Sequence, residues 1–445
     1  MKSMTSFLVA FVKSYLPNPY SLAIVMTLIM FTIGLVATPH SVTELSGFFG
    51  DGMYSNLTFV MQMTMILFAG YALAISSSVT MILKKVASIP KTRFGALAFV
   101  FTISMIFGFI NWGFGLVGSA LIAKEVAAQN KGKKIDFAIM VAAAYVACQI
   151  PALSSAVVLI AATPGHFLED VMGVLPINET LFAPFNVILL VSYWVVILAM
   201  LKFMNPSEKD STELDPAVLE AEEKAALAIR EAEARRDLSP AEKLDSFSPL
   251  TFLFVAIMFV YIGVFFATQG FMNLSTNIVI TIFLSIGMLA HKSPISYVKA
   301  VNEAIKVCGG IALLFPIYWG LMGLMRDSGI TTMISDWFVL ISTSVTLPLF
   351  TFWSFSIVNL FIPSAGGQWA IQGPIVMEAA VNLGADIPRT AMAAAWGDLS
   401  TNLIQPFWAI PVLAVVKKDV KDIMGYCFMM FIAVSTVLSL GFLFL

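Results

Sequence analysis

Four stretches of this chain run for 16 to 21 residues without one charged side chain: Ser21–Thr38, Asn186–Leu201, Leu250–Thr268 and Gly425–Leu445. At about 1.5 Å of rise per residue, most of them, as helices, can cross a hydrocarbon core about 30 Å thick. Only 12% of the 445 residues are charged and 59% are hydrophobic, whereas a soluble domain carries about a quarter charged residues. The excess apolar surface needs lipid around it, so the expected fold is an all-α polytopic membrane protein.

The charges then set a topology. All 25 Lys and Arg lie in short polar breaks between apolar runs. With a cytoplasmic N-terminus, Lys2 and Lys13, Lys84–Arg93, Lys124–Lys134, Lys202–Lys243, Lys292–Lys306 and Lys417–Lys421 all fall inside, leaving only Arg326 and Arg389 outside. That is a strong positive-inside bias, and it places the C-terminus on the periplasmic or outer side. The apolar stretch after Met1–Pro17 continues into a full span without a small-residue cleavage site, so no removed signal peptide is expected. Basic residues spread along the inner face form no nucleic-acid patch. Cys148, Cys308 and Cys427 sit singly in apolar segments, and His40, His166 and His291 lie far apart, which argues against a disulfide or a histidine metal site.

Between Asn205 and Phe247 the composition changes to twelve acids and six basic residues with Ala-rich helical spacing. Residues 205–247 therefore read as a cytoplasmic linker with a surface helix over Ala217–Arg236, started by Asp215-Pro216 and stopped by Ser239-Pro240. The linker separates halves that resemble each other at an offset of about 250 residues. Ala142-Ala143-Ala144-Tyr145 returns as Ala393-Ala394-Ala395-Trp396, each about 30 residues after a glycine-rich break.

The first break, Ile110–Gly115, interrupts an apolar segment flanked by basic clusters at both ends. One span cannot leave both ends inside, so residues 94–123 are expected to form a re-entrant hairpin turning at Asn111–Gly115. Residues 348–380, broken at Pro363–Gly367, should enter and return from the other side. Counting spans gives a first membrane repeat over 1–204, a connecting transmembrane helix at 248–270, and a second, inverted repeat over 271–445. The total is about nine transmembrane helices plus two re-entrant hairpins, a plan typical of secondary transporters.

Irregular backbone at membrane depth survives only where it is buried in protein or lines a wet cavity. The hairpin tips therefore mark the candidate site: Asn111, Trp112, Gly113 and Gly115 in the first, Ser364, Gly366, Gly367, Gln368 and Trp369 in the second. Helices starting there would aim their positive dipole ends at a bound anion. The segments after the hairpins are also interrupted, by Gln149 and Pro151 before Ser154 and Ser155, and by Gln405-Pro406 after Asp398–Asn402. Carbonyls freed by a proline, with Ser, Thr and Asn oxygens, suit sodium. Asp398 is the one acid or base expected deep inside a span, which makes it a coupling-ion ligand or proton carrier. Thr401, Asn402 and Gln405 join the substrate set, and Asn111, Asp398, Ser400 and Asn402 form the expected site for Na+, or for H+ at the acid. No other cofactor is expected. With no buried Lys or Arg to hold a second negative charge, a small monovalent anion is favoured over a dicarboxylate. Trp112, Trp369, Phe407 and Trp408 beside the breaks could wall off a short alkyl chain.

Seven motifs together make the whole chain resemble the bacterial short-chain fatty acid transporter family, within the broader ion-transporter superfamily. They are Leu16-Pro17-Asn18-Pro19, Gly50-Asp51-Gly52, Ile110-Asn111-Trp112-Gly113-Phe114-Gly115-Leu116-Val117, Ala162-Thr163-Pro164-Gly165, Pro363–Trp369 with Ile371-Gln372-Gly373-Pro374, Gln405-Pro406-Phe407-Trp408-Ala409 and Asp422–Cys427. The resemblance implies uptake of acids such as butyrate or acetoacetate across a bacterial inner membrane, by a homodimer with an elevator-type transport domain. The chain departs from that pattern at Cys148–Ala152 and at Asp398-Leu399-Ser400, while Ser400-Thr401-Asn402 is similar to the sodium motif of the divalent-anion symporters. The expected function is an ion-coupled symporter of a small monocarboxylate. A transporter of another organic anion, such as a dicarboxylate, and an anion channel are the rivals. An enzyme would need convergent acid, base or metal groups, and one buried acid without His, Cys or Lys partners does not supply them.

Overall fold

The computed structural model describes residues 19–215, 224, 238–360 and 362–445. Most of the expected surface helix over Ala217–Arg236, and the Leu16-Pro17-Asn18 motif, lie outside the described residues. Among the described residues the fold is all-helical, without strands. Before the linker come α1 (Pro19–Ala37), α2 (Val42–Ser55), α3 (Leu57–Ala74), α4 (Ser77–Val86), α5 (Arg93–Ile110), α6 (Trp112–Gln129), α7 (Phe137–Ala147), α8 (Ala156–Ala162), α9 (Glu169–Met172) and α10 (Pro184–Met204). The short α11 (Pro240–Asp245) and α12 (Ser248–Gln269) lead into α13 (Thr276–His291), α14 (Pro294–Asp327) and α15 (Ile330–Ile341). The chain ends with α16 (Leu347–Asn359), α17 (Ala365–Leu383), α18 (Ile387–Asn402), α19 (Pro406–Val416) and α20 (Val420–Phe444).

Among the described residues, six helices are long and apolar enough to cross a bilayer: Tyr20–Ala37, Leu57–Ala74, Arg93–Ile110, Pro184–Met204, Ser248–Gln269 and Val420–Phe444. Others are shorter because the chain breaks them. In each half a pair of helices meets at a break (α5 with α6, α16 with α17), a second interrupted pair follows (α7 with α8, α18 with α19), and a long helix closes the series (α10, α20). α5 packs on α6, α16 on α18, and α10 on α20, so the halves interlock.

Several features depart from the sequence expectation in detail. α14 is one 34-residue helix that starts at Pro294, inside the basic cluster Lys292–Lys306 expected to lie in a polar break. Ser293-Pro294 begins it, and Pro316 lies inside it without ending it. The basic cluster at Lys299 and Lys306 is thus carried on a helix rather than a loop. α2 and α4 are short helices with side-chain caps from Ser41 and Ser76, and α15 is a 12-residue helix; none is long enough to register as a span. At both hairpins the glycines lie in the first turns of helices. The interruption is Asn111 alone in the first, while in the second α16 ends at Asn359 and α17 starts at Ala365.

The start of the linker is pinned rather than loose. Arg93, at the head of α5, donates from Nε to the Lys134 carbonyl at 2.8 Å, and from Nη2 to the Pro206 carbonyl at 2.7 Å and Ser211 Oγ at 2.8 Å. Asp136 caps α7 through the Ile139 amide and accepts the Thr212 amide at 2.9 Å with its other oxygen. Gly132 and Lys134, both at positive φ (84° and 56°), bring their amides onto one Glu213 oxygen at 3.0 and 2.8 Å. Charge-assisted bonds of this kind contribute about 1.5–3 kcal/mol each to local order. Arg93→Ala should therefore raise the transiently open population of residues 206–215 about tenfold or more, because each 1.4 kcal/mol is a factor of ten. Limited proteolysis of the purified protein, with cleavage in this stretch followed over time, measures that rate.

Candidate functional site

Both hairpin tips are built by side chains that replace lost helix bonds. At the first, Asn111 is extended (φ −156°, ψ 125°) and its Oδ1 accepts the Phe114 amide at 2.9 Å. The Trp112 amide donates to Ser154 Oγ at 2.9 Å, which ties the tip to the interrupted segment after α7. At the second, Ser364 (φ −154°, ψ 105°) caps α17 by accepting the Gly367 amide at 3.3 Å. The Gly366 amide has no partner among the described residues.

The second interrupted segment is held from elsewhere. Asn359, the last residue of α16, donates from Nδ2 toward the Asp398 carbonyl at 2.6 Å, Thr401 Oγ1 at 3.0 Å and Asn402 Oδ1 at 2.7 Å. Three acceptors share two N–H bonds, so this amide is a tight node. Gln405 Nε2 donates back to the Asn359 carbonyl. Tyr145 of α7 donates its hydroxyl to the carbonyls of Asn402 and Gln405, two groups exposed by the break before Pro406. A residue of the first half thus caps the break of the second.

These four interruptions converge on a cavity of about 100 Å³. Trp112 and Leu116 come from the first hairpin, and Gln149, Ser155 and Val157 from the segment after it. Ser364 and Gly366 belong to the second hairpin, Asp398 and Asn402 to α18, and Trp408 to α19. Met63 of α3 and Phe315 of α14 close the wall. Asp398 is 2% exposed, and its Oδ1 has no hydrogen-bond partner among the described residues. Among the described residues the lining holds this one acid and no Lys, Arg or His.

Of the expected site residues, Trp112, Ser155, Ser364, Gly366, Asp398 and Asn402 line this cavity. The others sit behind it. Ser154 and Asn111 brace the first tip, and Thr401 and Gln405 bond to Asn359. Ser400 Oγ turns away to the Gly397 carbonyl at 2.9 Å and Ser356 Oγ at 3.0 Å. Gln368 Nε2 spans the second hairpin, donating to the Phe355 carbonyl and to Gln372 Oε1, both at 2.7 Å. Trp369 is buried against Phe355, with ring centroids 6.2 Å apart.

Three of the tip glycines serve close approach. A β-carbon on Gly115 would lie 2.6 Å from Gly108 Cα in the facing arm, one on Gly113 2.9 Å from the Leu67 carbonyl, and one on Gly367 2.2 Å from the Tyr318 ring. Of the expected sodium ligands, Asp398 and Asn402 face the cavity, whereas Asn111 and Ser400 do not. Sequence reasoning missed Asn359, Tyr145 as a cap, and Met63 and Phe315 as walls. Asn359 had a readable signal, as the amide side chain four residues before Pro363 in an arm without another amide or any charge.

A helical membrane protein whose interrupted helices converge on a small cavity has the architecture of a solute transporter, and comparison with known proteins narrows that class. The whole chain, residues 1–445, matches the short chain fatty acid transporter family. It is 36% identical over 426 residues, 95% of both chains, to an Escherichia coli (strain K12) protein named for short-chain fatty acid transport. A Haemophilus influenzae protein of the same name is 34% identical over 451 residues, 99% of both chains. This chain belongs to the short chain fatty acid transporter family, a family of transporters and not of enzymes. Its fold is similar to the crystal structure of the Alcanivorax borkumensis YdaH transporter, with a TM-score of 0.56 at 14% identity over 95% of this chain and 98% of that one. Neisseria gonorrhoeae MtrF gives 0.50 at 14% identity over 98% and 97%. At that identity the likeness is one of fold.

The first tip rests on Gly70 of α3, where a β-carbon would fall 2.1 Å from Asn111 Oδ1 and 2.7 Å from the Phe114 amide. Gly70→Ala should therefore push Asn111 off its cap, at an overpacking cost of about 1–3 kcal/mol. Solute uptake into proteoliposomes should fall at least tenfold. Gly47→Ala, whose β-carbon would meet nothing within 4 Å, should leave both uptake and melting temperature unchanged.

Proposed function

We propose that this protein is an ion-coupled symporter of short monocarboxylates, such as butyrate or acetoacetate, working in a bacterial inner membrane. The observation that carries the reading is the cavity lining: five polar side chains (Gln149, Ser155, Ser364, Asp398 and Asn402) among mostly apolar neighbours, and no cationic side chain among the described residues. A small acid with one carboxylate and a short alkyl tail fits that mixture. A dicarboxylate would bring a second negative charge with no Lys or Arg to meet it, so that rival is disfavoured.

Asp398 supplies the coupling argument. A buried carboxylate with no counter-charge repels an incoming anion strongly at low dielectric. Neutralising it with a sodium ion or a proton removes the repulsion, so cation and substrate enter together. Asp398 and Asn402 in the lining, with the Thr401 hydroxyl and the Asp398 carbonyl gathered at Asn359, provide oxygens for sodium next to the substrate. The relatives' names supply the substrate class, and the basic clusters favour a cytoplasmic N-terminus and an outer C-terminus. The recurring order of interrupted and closing helices supports inverted repeats, with about nine spans plus two re-entrant hairpins. Alternating access of the elevator type in a homodimer is what the resemblance to the ion-transporter superfamily implies.

Purified protein in proteoliposomes should take up labelled butyrate saturably and above equilibrium under an inward sodium or proton gradient. Acetoacetate should compete and succinate should not. No competition by any short carboxylate under either gradient would reject the substrate class, and non-saturating flux without accumulation would identify a channel. Asp398→Asn should lower gradient-driven accumulation at least tenfold while leaving the melting temperature within a few degrees. Unaltered sodium and proton dependence in that variant would reject the coupling role.

A further inference from the structure

Behind the cavity that holds Asp398 lies a second one of about 220 Å³. The two share Trp112, Leu116 and Trp408 in their walls. The indoles of Trp112 and Trp408 meet edge to face, with ring centroids 5.9 Å apart and planes at 86°. The rest of the second cavity is formed by Leu67, Tyr71, Gly113, Val117, Ile410 and Pro411, so among the described residues its side-chain hydrogen-bonding groups are the Tyr71 hydroxyl and the two indole N–H groups. A space with so few polar partners suits hydrocarbon better than ordered water.

We propose that the Trp112–Trp408 pair is a chain-length ruler: it ends the space open to the alkyl tail and thereby sets the longest acid the protein accepts. This deepens the reading given above and rests on it. Both rings are placed by the interruptions themselves. Trp112 is the first residue of α6, its amide fixed on Ser154 Oγ, and Trp408 is the third residue of α19, directly after the break at residues 403–405. With the carboxylate near Asp398, Asn402 and Ser364, the tail extends toward the indoles. Butyrate stops short of them, whereas each further methylene must displace an indole or stay out of contact. Removing one ring would join the two cavities and offer the longer tail an apolar wall.

The test is kcat/KM for uptake of propionate, butyrate, hexanoate and octanoate into proteoliposomes by the wild type, Trp408→Ala, Trp408→Leu and the double variant Trp408→Ala/Val117→Phe. Wild type should fall steeply between butyrate and hexanoate. Trp408→Ala should raise the hexanoate-to-butyrate ratio about 15-fold, since burying a methylene is worth about fourfold. Trp408→Leu should give a smaller rise, and Val117→Phe, by refilling the second cavity, should return the ratio toward wild type. Wild type that takes hexanoate and octanoate as well as butyrate overturns the ruler, and that series decides the matter even if both Trp408 variants misfold. An unchanged ratio in folded variants also overturns it. An equal rise for every acid would show that the pair gates passage without measuring length. Wild type that takes up no short acid at all would instead reject the substrate reading on which the ruler stands.

Discussion

A helix interrupted at membrane depth exposes backbone groups that lipid cannot satisfy, and each one left bare costs several kcal/mol. This protein interrupts its helices four times around one cavity and meets the exposed groups with side chains. Asn111 and Ser364 cap the two hairpin tips, Ser154 takes the Trp112 amide, and Tyr145 reaches across from the first half to the carbonyls of Asn402 and Gln405. Asn359 gathers the Asp398 carbonyl with the Thr401 and Asn402 side chains. These bonds let irregular backbone persist around the cavity. They also make the cavity a product of both halves, so neither half could form it alone.

Within that frame, the electrostatics are set by what the cavity lacks. One acid without a base is an unstable arrangement for binding an anion and a natural one for binding an anion together with a cation.

Much of this plan could be read in the sequence because glycine, proline and charge act locally. The breaks near Asn111, Pro363, Pro151 and Pro406 announce themselves through residues that end helices, and Asp398 stands out because charges are scarce. Chain-distant partners could not be read in the same way. Nothing near Tyr145 in sequence points to the carbonyl of Asn402, 257 positions away, and Met63 and Phe315 become cavity walls only through packing of α3 and α14. The tip glycines could not be sorted from sequence, for a physical reason. A glycine that frees an amide and one that admits a neighbouring helix look identical in sequence, and Gly115 and Gly367 prove to be of the second kind. Linker docking was hidden similarly, since Glu213 looks like any other acid in an acidic stretch until Gly132 and Lys134 turn their amides onto it.

The two halves resemble each other, yet the cavity does not treat them alike. At the first tip the Trp112 and Phe114 amides are already engaged by Ser154 and Asn111, while Gly113 lies against Leu67 and lines the second cavity rather than the first. At the second, Ser364 and Gly366 line the cavity itself, and the Gly366 amide has no protein partner among the described residues. An N-terminal helix amide that is buried and unengaged is a donor for an anion. The second hairpin therefore turns polar groups toward the cavity, whereas the first presents Trp112 and Leu116 to it. The cavity is thus lined unevenly: Ser364, Asp398 and Asn402 come from the second half and Gln149 and Ser155 from the first, while each half supplies one of the two indoles, Trp112 and Trp408.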